Sequence, residues 1–240
     1  MKKSVKRIGL LLITSFIFVL SGCMYPSEKT TGQEIPYADQ LESMQKAVDA
    51  FQQDSGGLLP IKTRELETDI YIKYPIEFAK LVPAFTEKIP SNAYETGGIY
   101  QYVLTNVETD PTVKLVDLRS AERIRDLNLR KNINGKVPFK DAVGDHVYAV
   151  DFKAMGFKEP LTVPSPYSET MLPLVIGGDG IFYIDYSIDL NRILKEQKPD
   201  VKEGEDIRYL LSENNPVLPA YSLPYTVNEN NEPIFMRNSK

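Results

Sequence analysis

One cysteine in 240 residues leaves the chain no internal disulfide and no thiolate cluster for a metal, so its fold is held by an apolar core. That cysteine, Cys23, stands directly behind an apolar run. Lys2, Lys3, Lys6 and Arg7 come first; Ile8 to Leu20 then carry no charge and are broken only by Gly9, Thr14 and Ser15. As a helix those 13 residues reach about 20 Å at roughly 1.5 Å per residue, short of the roughly 30 Å hydrocarbon core of a bilayer. A basic start followed by such a run reads as an export signal and not as a permanent span.

Leu20-Ser21-Gly22-Cys23 resembles the lipobox of bacterial lipoproteins, in which a Leu, two small residues and a Cys follow the apolar run. Ser21 and Gly22 are small enough for a peptidase groove to accept the backbone, and the Cys23 thiol can be alkylated by a diacylglyceryl group. The resemblance implies that Leu20, Ser21 and Gly22 are read by the signal peptidase, that residues 1–22 are removed, and that Cys23 becomes the N-terminus. Cys23 would then hold the chain to the cell membrane through its diacylglyceryl group and an N-linked acyl chain such as palmitate, facing outside the cytoplasm. Two chains at about 0.8 kcal/mol per buried CH₂ retain a protein on a bilayer; one alone binds marginally. The plainer alternative, a membrane-buried or core cysteine behind a chance glycine, accounts for neither the position nor the flanks.

Segment 1–22 holds four basic and no acidic residues, so its removal leaves 218 residues and takes the formal charge from −5 to −9. Nucleic acid and anionic lipid headgroups are poor partners for that net charge. Residues 23–39 form the lipidated cysteine and a polar tether with Pro26, Gly32 and Pro36. Residues 40–240 are expected to form the extracytoplasmic domain, long enough to bury a core of its own.

Leu41, Met44, Ala47, Val48 and Phe51 recur at helical spacing before Gly56-Gly57, which predicts an amphipathic helix with a glycine stop. The exit from that helix, Ala50 to Pro60, resembles the helix exit of pilin-like secreted proteins. In ETDIYIKYPIEF, Ile70, Ile72 and Tyr74 alternate as in a strand, and the following residues switch to helical spacing up to a bend at Pro83. GGIYQYVLTNV, VKLVDL and HVYAVDF read as strands, and RSAERIRDLNLRKNING as a surface helix buried through Ile124 and Leu127. GGDGIFYIDYSIDLNRILKEQK repeats the order of Gly pair, aromatic strand and Asp-Leu before a helix seen from Gly97 to Asn128. The two segments are either a duplication or ordinary turn and cap chemistry recurring by chance. Past Pro199, GEDIRYLLSEN reads as a short helix. Pro216, Pro219, Pro224 and Pro233 then forbid long elements, so the end reads as an extended tail lying across the surface, anchored by Leu218, Tyr221, Leu223 and Tyr225. The expected class is α+β: a twisted, mostly antiparallel sheet, several amphipathic helices and a Pro-rich extended C-terminal tail.

The chemistry is sparse. The single histidine, His146, follows Asp145 at the start of a strand, with no Gly-x-Ser-x-Gly serine to serve. Ser43-Met44-Gln45-Lys46 matches Ser-x-x-Lys and Ser212-Glu213-Asn214 its Ser-x-Asn companion in penicillin-recognising enzymes. Lys-Thr-Gly is missing, and the serines and lysines present produce roughly one Ser-x-x-Lys by chance. Asp179, Asp185 and Asp189 depart from the calcium-loop spacing, and Asp189 reads as a helix N-cap. No motif points to a catalytic residue, a metal or another cofactor. Tyr94, Tyr100 and Tyr102, in a glycine-rich loop and strand, are the candidate binding surface.

DSGGLLPIKT, YIKYPIEFAKL and IPSNAYETGGIYQYVL, together with the lipobox, resemble an uncharacterised lipoprotein family of low-GC Gram-positive, spore-forming bacteria. The resemblance implies location and an envelope role. The expected function is a non-enzymatic adaptor or structural role in the envelope, binding another envelope protein or the wall; the alternative is a solute- or peptide-binding receptor. A hydrolase rests on carboxylates alone.

Overall fold

The computed structural model describes residues 38–236 apart from 63, 66 and 67. Helix α1 spans Ala38–Asp54 and buries Met44, Ala47 and Val48, with Leu41 and Phe51 packed at the edge of the same cluster. It ends where Gly56 and Gly57 take positive φ, 70° and 97°, and the Gly57 N–H closes on the Gln52 carbonyl. Gln45 docks the helix on the backbone near Val113: its Oε1 accepts from the Val113 N–H at 2.8 Å and its Nε2 donates to the Pro111 carbonyl at 2.9 Å.

The partner of α1 is the hairpin of β1 (Tyr100–Thr105) and β2 (Thr112–Asp117), in register from Tyr100 opposite Asp117 to Thr105 opposite Thr112. Period two assigns the faces. Tyr100, Tyr102, Leu104, Val113 and Leu115 join α1 in one core, whereas Val103 and Val116 point to the other side and meet Leu218 and Ala220. Asp117 then caps α2 (Leu118–Asn134), its carboxylate accepting from the Arg119 N–H at 2.9 Å, and Gly135 closes the helix in the left-handed region.

A second core lies under a five-stranded antiparallel sheet of β3 (Phe139–Gly144), β4 (Val147–Val150), β5 (Thr162–Pro164), β6 (Met171–Gly177) and β7 (Phe182–Ile184). Strand β6 pairs with β4, β5 and β7. Leu172, Leu174 and Ile176 of β6 meet Ile124 and Leu127 of α2 and Leu190, Ile193 and Leu194 of α3 (Ser187–Gln197). The short helix α4 (Tyr209–Ser212) and the hairpin of β8 (Tyr225–Val227) with β9 (Pro233–Phe235) complete this side. The class is α+β as expected, with the antiparallel strands of the described residues divided among three sheets.

Two sequence expectations need correction. No strand forms at Ile70–Tyr74, because the Asp69 carboxylate takes the Tyr71 N–H at 2.9 Å and folds the chain into a turn. Only isolated bridges come after it, Pro75 to Val103 and Ile76 to Ile61, and the helix before Pro83 is a single 3-10 turn, Phe78–Lys80. The C-terminal stretch is extended but does not lie across the surface: Pro216 to Ala220 are buried between the cores. Leu115 and Val217 form a parallel bridge, with the Leu115 N–H on the Pro216 carbonyl and the Leu218 N–H on the Leu115 carbonyl, both 2.8 Å. The Lys114 ammonium, whose pKa burial lowers, donates to the Ser212 and Asn215 carbonyls. The proline-rich segment is a buttress, its proline carbonyls accepting where proline nitrogens cannot donate.

Candidate functional site

A groove of about 410 Å³ runs along one flank of α2. Leu118, Ala121, Ile124 and Asn128 form its floor at helical spacing, with Glu122 and Arg125 beside them and Tyr94 and Tyr221 across. Each tyrosine is held by its backbone. Tyr94 opens a 3-10 turn, Tyr94–Thr96, closed by Gly97 at φ 90°, and its side chain is 62% exposed. Tyr221 sits at φ 60°, where its N–H donates to the Asp69 carboxylate at 2.9 Å. Burial raises the Asp69 carboxyl, opposed by the N–H bonds from Tyr71 and Tyr221 and by the charge of Arg208. Arg208 in turn grips Asp206, reaches the Ser222 carbonyl at 2.9 Å and lies 5.2 Å over the Tyr71 ring. This cross-linked loop gives the groove a fixed wall.

The structure separates the three predicted tyrosines. Tyr94 faces solvent, but Tyr100 and Tyr102 are 7% and 1% exposed, because alternate residues of β1 face α1. The Tyr102 hydroxyl donates to Asn92 Oδ1 at 2.7 Å and its ring meets Phe78 edge-on at 5.7 Å. The three therefore share no exposed surface, and Tyr221 from the distant C-terminal stretch is the residue that joins Tyr94. No local signal in the sequence marks Tyr221 for that role. Cys23 and the recognition residues Leu20, Ser21 and Gly22 lie outside the described residues.

A second cleft, about 490 Å³, opens beside His146 and is lined by Asp145, Asp179, Leu223 and Met236. His146 occupies the turn between β3 and β4 at φ 55°, exposed and 3.9 Å from Asp145 Oδ1. Its carbonyl accepts from the Gly178 N–H at 2.7 Å. A Cβ on Gly177 would stand 2.6 Å from Asp179 Oδ1, so the glycine lets that carboxylate fold back. There Asp179 accepts from the Tyr183 hydroxyl at 2.7 Å and the Ile181 N–H at 2.9 Å, and burial first, then this bond, raises the Tyr183 phenol.

The other two acids of that stretch are engaged separately. Asp185 accepts from the Ser187 N–H and the Tyr225 hydroxyl, and so supplies the capping bond expected of Asp189. Asp189 lies in the first turn of α3 and is fully buried, taking the hydroxyls of Ser165 at 2.7 Å and Ser168 at 2.6 Å. Among the described residues no three His, Cys, Asp or Glu side chains are grouped to hold a metal. Ser43 and Lys46 line a third cleft of about 670 Å³ between α1 and residues 85–91, where Lys46 is ion-paired with Glu42. Among the described residues no helix is long and apolar enough to cross a membrane.

Residues 37–117 match the YphF family N-terminal domain. They cover about a third of the chain and run from the threshold of α1 to Asp117, the stretch that supplies all of the α1–hairpin core except Val217. DSGGLLPIKT, YIKYPIEFAKL and IPSNAYETGGIYQYVL all fall inside the match, which fits the resemblance to an uncharacterised family. No curated protein and no solved structure matches the chain.

Proposed function

We propose that this chain is a bacterial lipoprotein of the kind found in low-GC Gram-positive, spore-forming bacteria. It is anchored through acylated Cys23 on the outer face of the cell membrane and serves there as a non-enzymatic adaptor for another envelope protein. The basic start, the short apolar run and Leu20-Ser21-Gly22-Cys23 support the anchor. The observation that carries the adaptor is the Tyr94–Tyr221 groove on α2, a floor of Leu118, Ala121, Ile124 and Asn128 with one acid and one cation beside it. It suits a short segment presenting an apolar side chain next to a polar one. Its charged groups, Glu122 and Arg125, are placed to orient a partner.

Cell fractionation of Cys23→Ser tests the anchor: the variant is expected in the soluble or uncleaved fraction, and normal processing with membrane retention would refute it. A photo-crosslinking residue at Tyr94 tests the adaptor. It should yield a discrete adduct in intact membranes that the same residue at Tyr209, exposed elsewhere, does not. Identical adduct patterns from both positions would refute the groove's role. A solute receptor is the second reading, favoured by the His146 cleft with its three ionisable groups.

A further inference from the structure

We propose that the C-terminal half of α2 and the segment after it form a face that rests on an anionic lipid bilayer. From Arg130 to Lys140 the chain carries four basic residues and no acid, in a protein whose formal charge is −5. Net charge averages this segment away. The same stretch, with Leu129 just before it, leaves large apolar side chains uncovered. Ile133 is 74% and Leu129 59% exposed, four residues apart and so on one side of the helix; Val137 and Phe139 come next at 42% each.

The pieces are held together. The Lys131 ammonium donates to the Gly180 carbonyl and lies 5.7 Å from the Phe182 ring, and a Cβ on Gly180 would meet Val137 at 3.7 Å, so Val137 sits against the β6–β7 turn and its exposed Ile181. The Arg130 guanidinium lies 4.4 Å over the Phe157 ring, its charge fixed at the border of the patch. Beyond it, Lys140, 3.6 Å from Asp141 Oδ2, lines one cleft with Lys153 and Lys158 and with the acids Asp151 and Glu159.

Separately standing apolar side chains ringed by cations on a helix end are the pattern of an interfacial contact: the apolar groups enter the headgroup boundary and the cations meet lipid phosphates. A protein partner would favour a concave or continuous apolar surface with fewer charges at its centre. The proposal deepens the anchored reading, because a tether on Cys23 keeps this face at high effective concentration over the bilayer.

The test uses the full-length protein purified from membranes and reconstituted into vesicles of pure phosphatidylcholine or of equal parts phosphatidylcholine and phosphatidylglycerol. Ile133→Cys, and Leu58→Cys as an exposed control, are labelled with a polarity-sensitive thiol dye; acylated Cys23 does not react. The expected result is a blue shift at position 133 in the anionic vesicles only, none at position 58, and a face occupancy that falls about fivefold for each charge removed in Lys136→Gln and Lys140→Gln. An equal signal in both vesicles, no shift at 133, or a shift that needs a second envelope protein would each overturn the proposal. Dye uptake by the wild-type chain, with loss of vesicle flotation, would instead refute the Cys23 anchor. The two failures are therefore distinguishable.

Discussion

Asp189→Ala should destabilise the fold by about 3 kcal/mol. The carboxylate is fully buried and receives the hydroxyls of Ser165 and Ser168 at 2.7 and 2.6 Å. A hydrogen bond to a charged group is worth about 1.5–3 kcal/mol, and an acid in the first helical turn adds about 0.3–1. Two offsets lower that sum. Truncation recovers part of the cost of burying the acid, and Ser168 keeps its bond to Thr170 Oγ1 at 2.7 Å. Ser165 keeps the Tyr167 and Ser168 N–H donors but loses its own acceptor. At about 3 kcal/mol per molar urea, the high end of the small-protein range, the midpoint should fall by about 1 M. Asp189→Asn keeps one carbonyl acceptor and should cost about half as much. Were Asp189 only a helix cap, its loss would cost about 1 kcal/mol. A measured loss near that value for Asp189→Ala, or equal losses for Asp189→Ala and Asp185→Ala, would refute the buried latch.

Gly98→Ala should cost about 3 kcal/mol or prevent folding, since its Cβ would fall 2.1 Å from the Asn92 carbonyl group; a melting curve like that of the wild type would contradict this. Burial pushes the Tyr71 phenol up to about 12 and raises Tyr167, Tyr186 and Tyr225 as well. The fold therefore favours the protonated phenols: their contribution is complete below the unfolded value near 10, that of Tyr71 is lost as pH rises from about 10 to 12, and those of the other three are lost at higher pH still. Denaturant midpoints at stepped alkaline pH, followed with phenolate absorbance, should show stability and protonation lost together. Tyr94→Ala should leave stability within about 0.5 kcal/mol of wild type, while abolishing any adduct made through the groove.

Where one face of an element is wet, its period is visible in the sequence. Met44, Ala47 and Val48 predict α1, Ile124 and Leu127 predict α2, and the tyrosines and valines of β1 and β2 announce a hairpin. Strand β6 escapes for the opposite reason: MLPLVIG is buried along most of its length, so it has no alternation, and Pro173 argues against a strand until its carbonyl is seen accepting from the Asp185 N–H. Side-chain capture also defeats pattern reading. Asp69 turns an apparently alternating stretch into a loop, and Asp189 is drawn inward by two serines more than 20 residues away. The tyrosine site fails on burial, because the side of β1 that is covered depends on where α1 docks.

The most direct test of the tethered-lipoprotein account is intact mass analysis of the protein extracted from its native membrane. The account predicts a chain that begins at Cys23 and carries a diacylglyceryl mass, with or without a further N-linked acyl chain. A membrane-bound chain that retains residues before Cys23, or that bears a free Cys23 thiol, would contradict it.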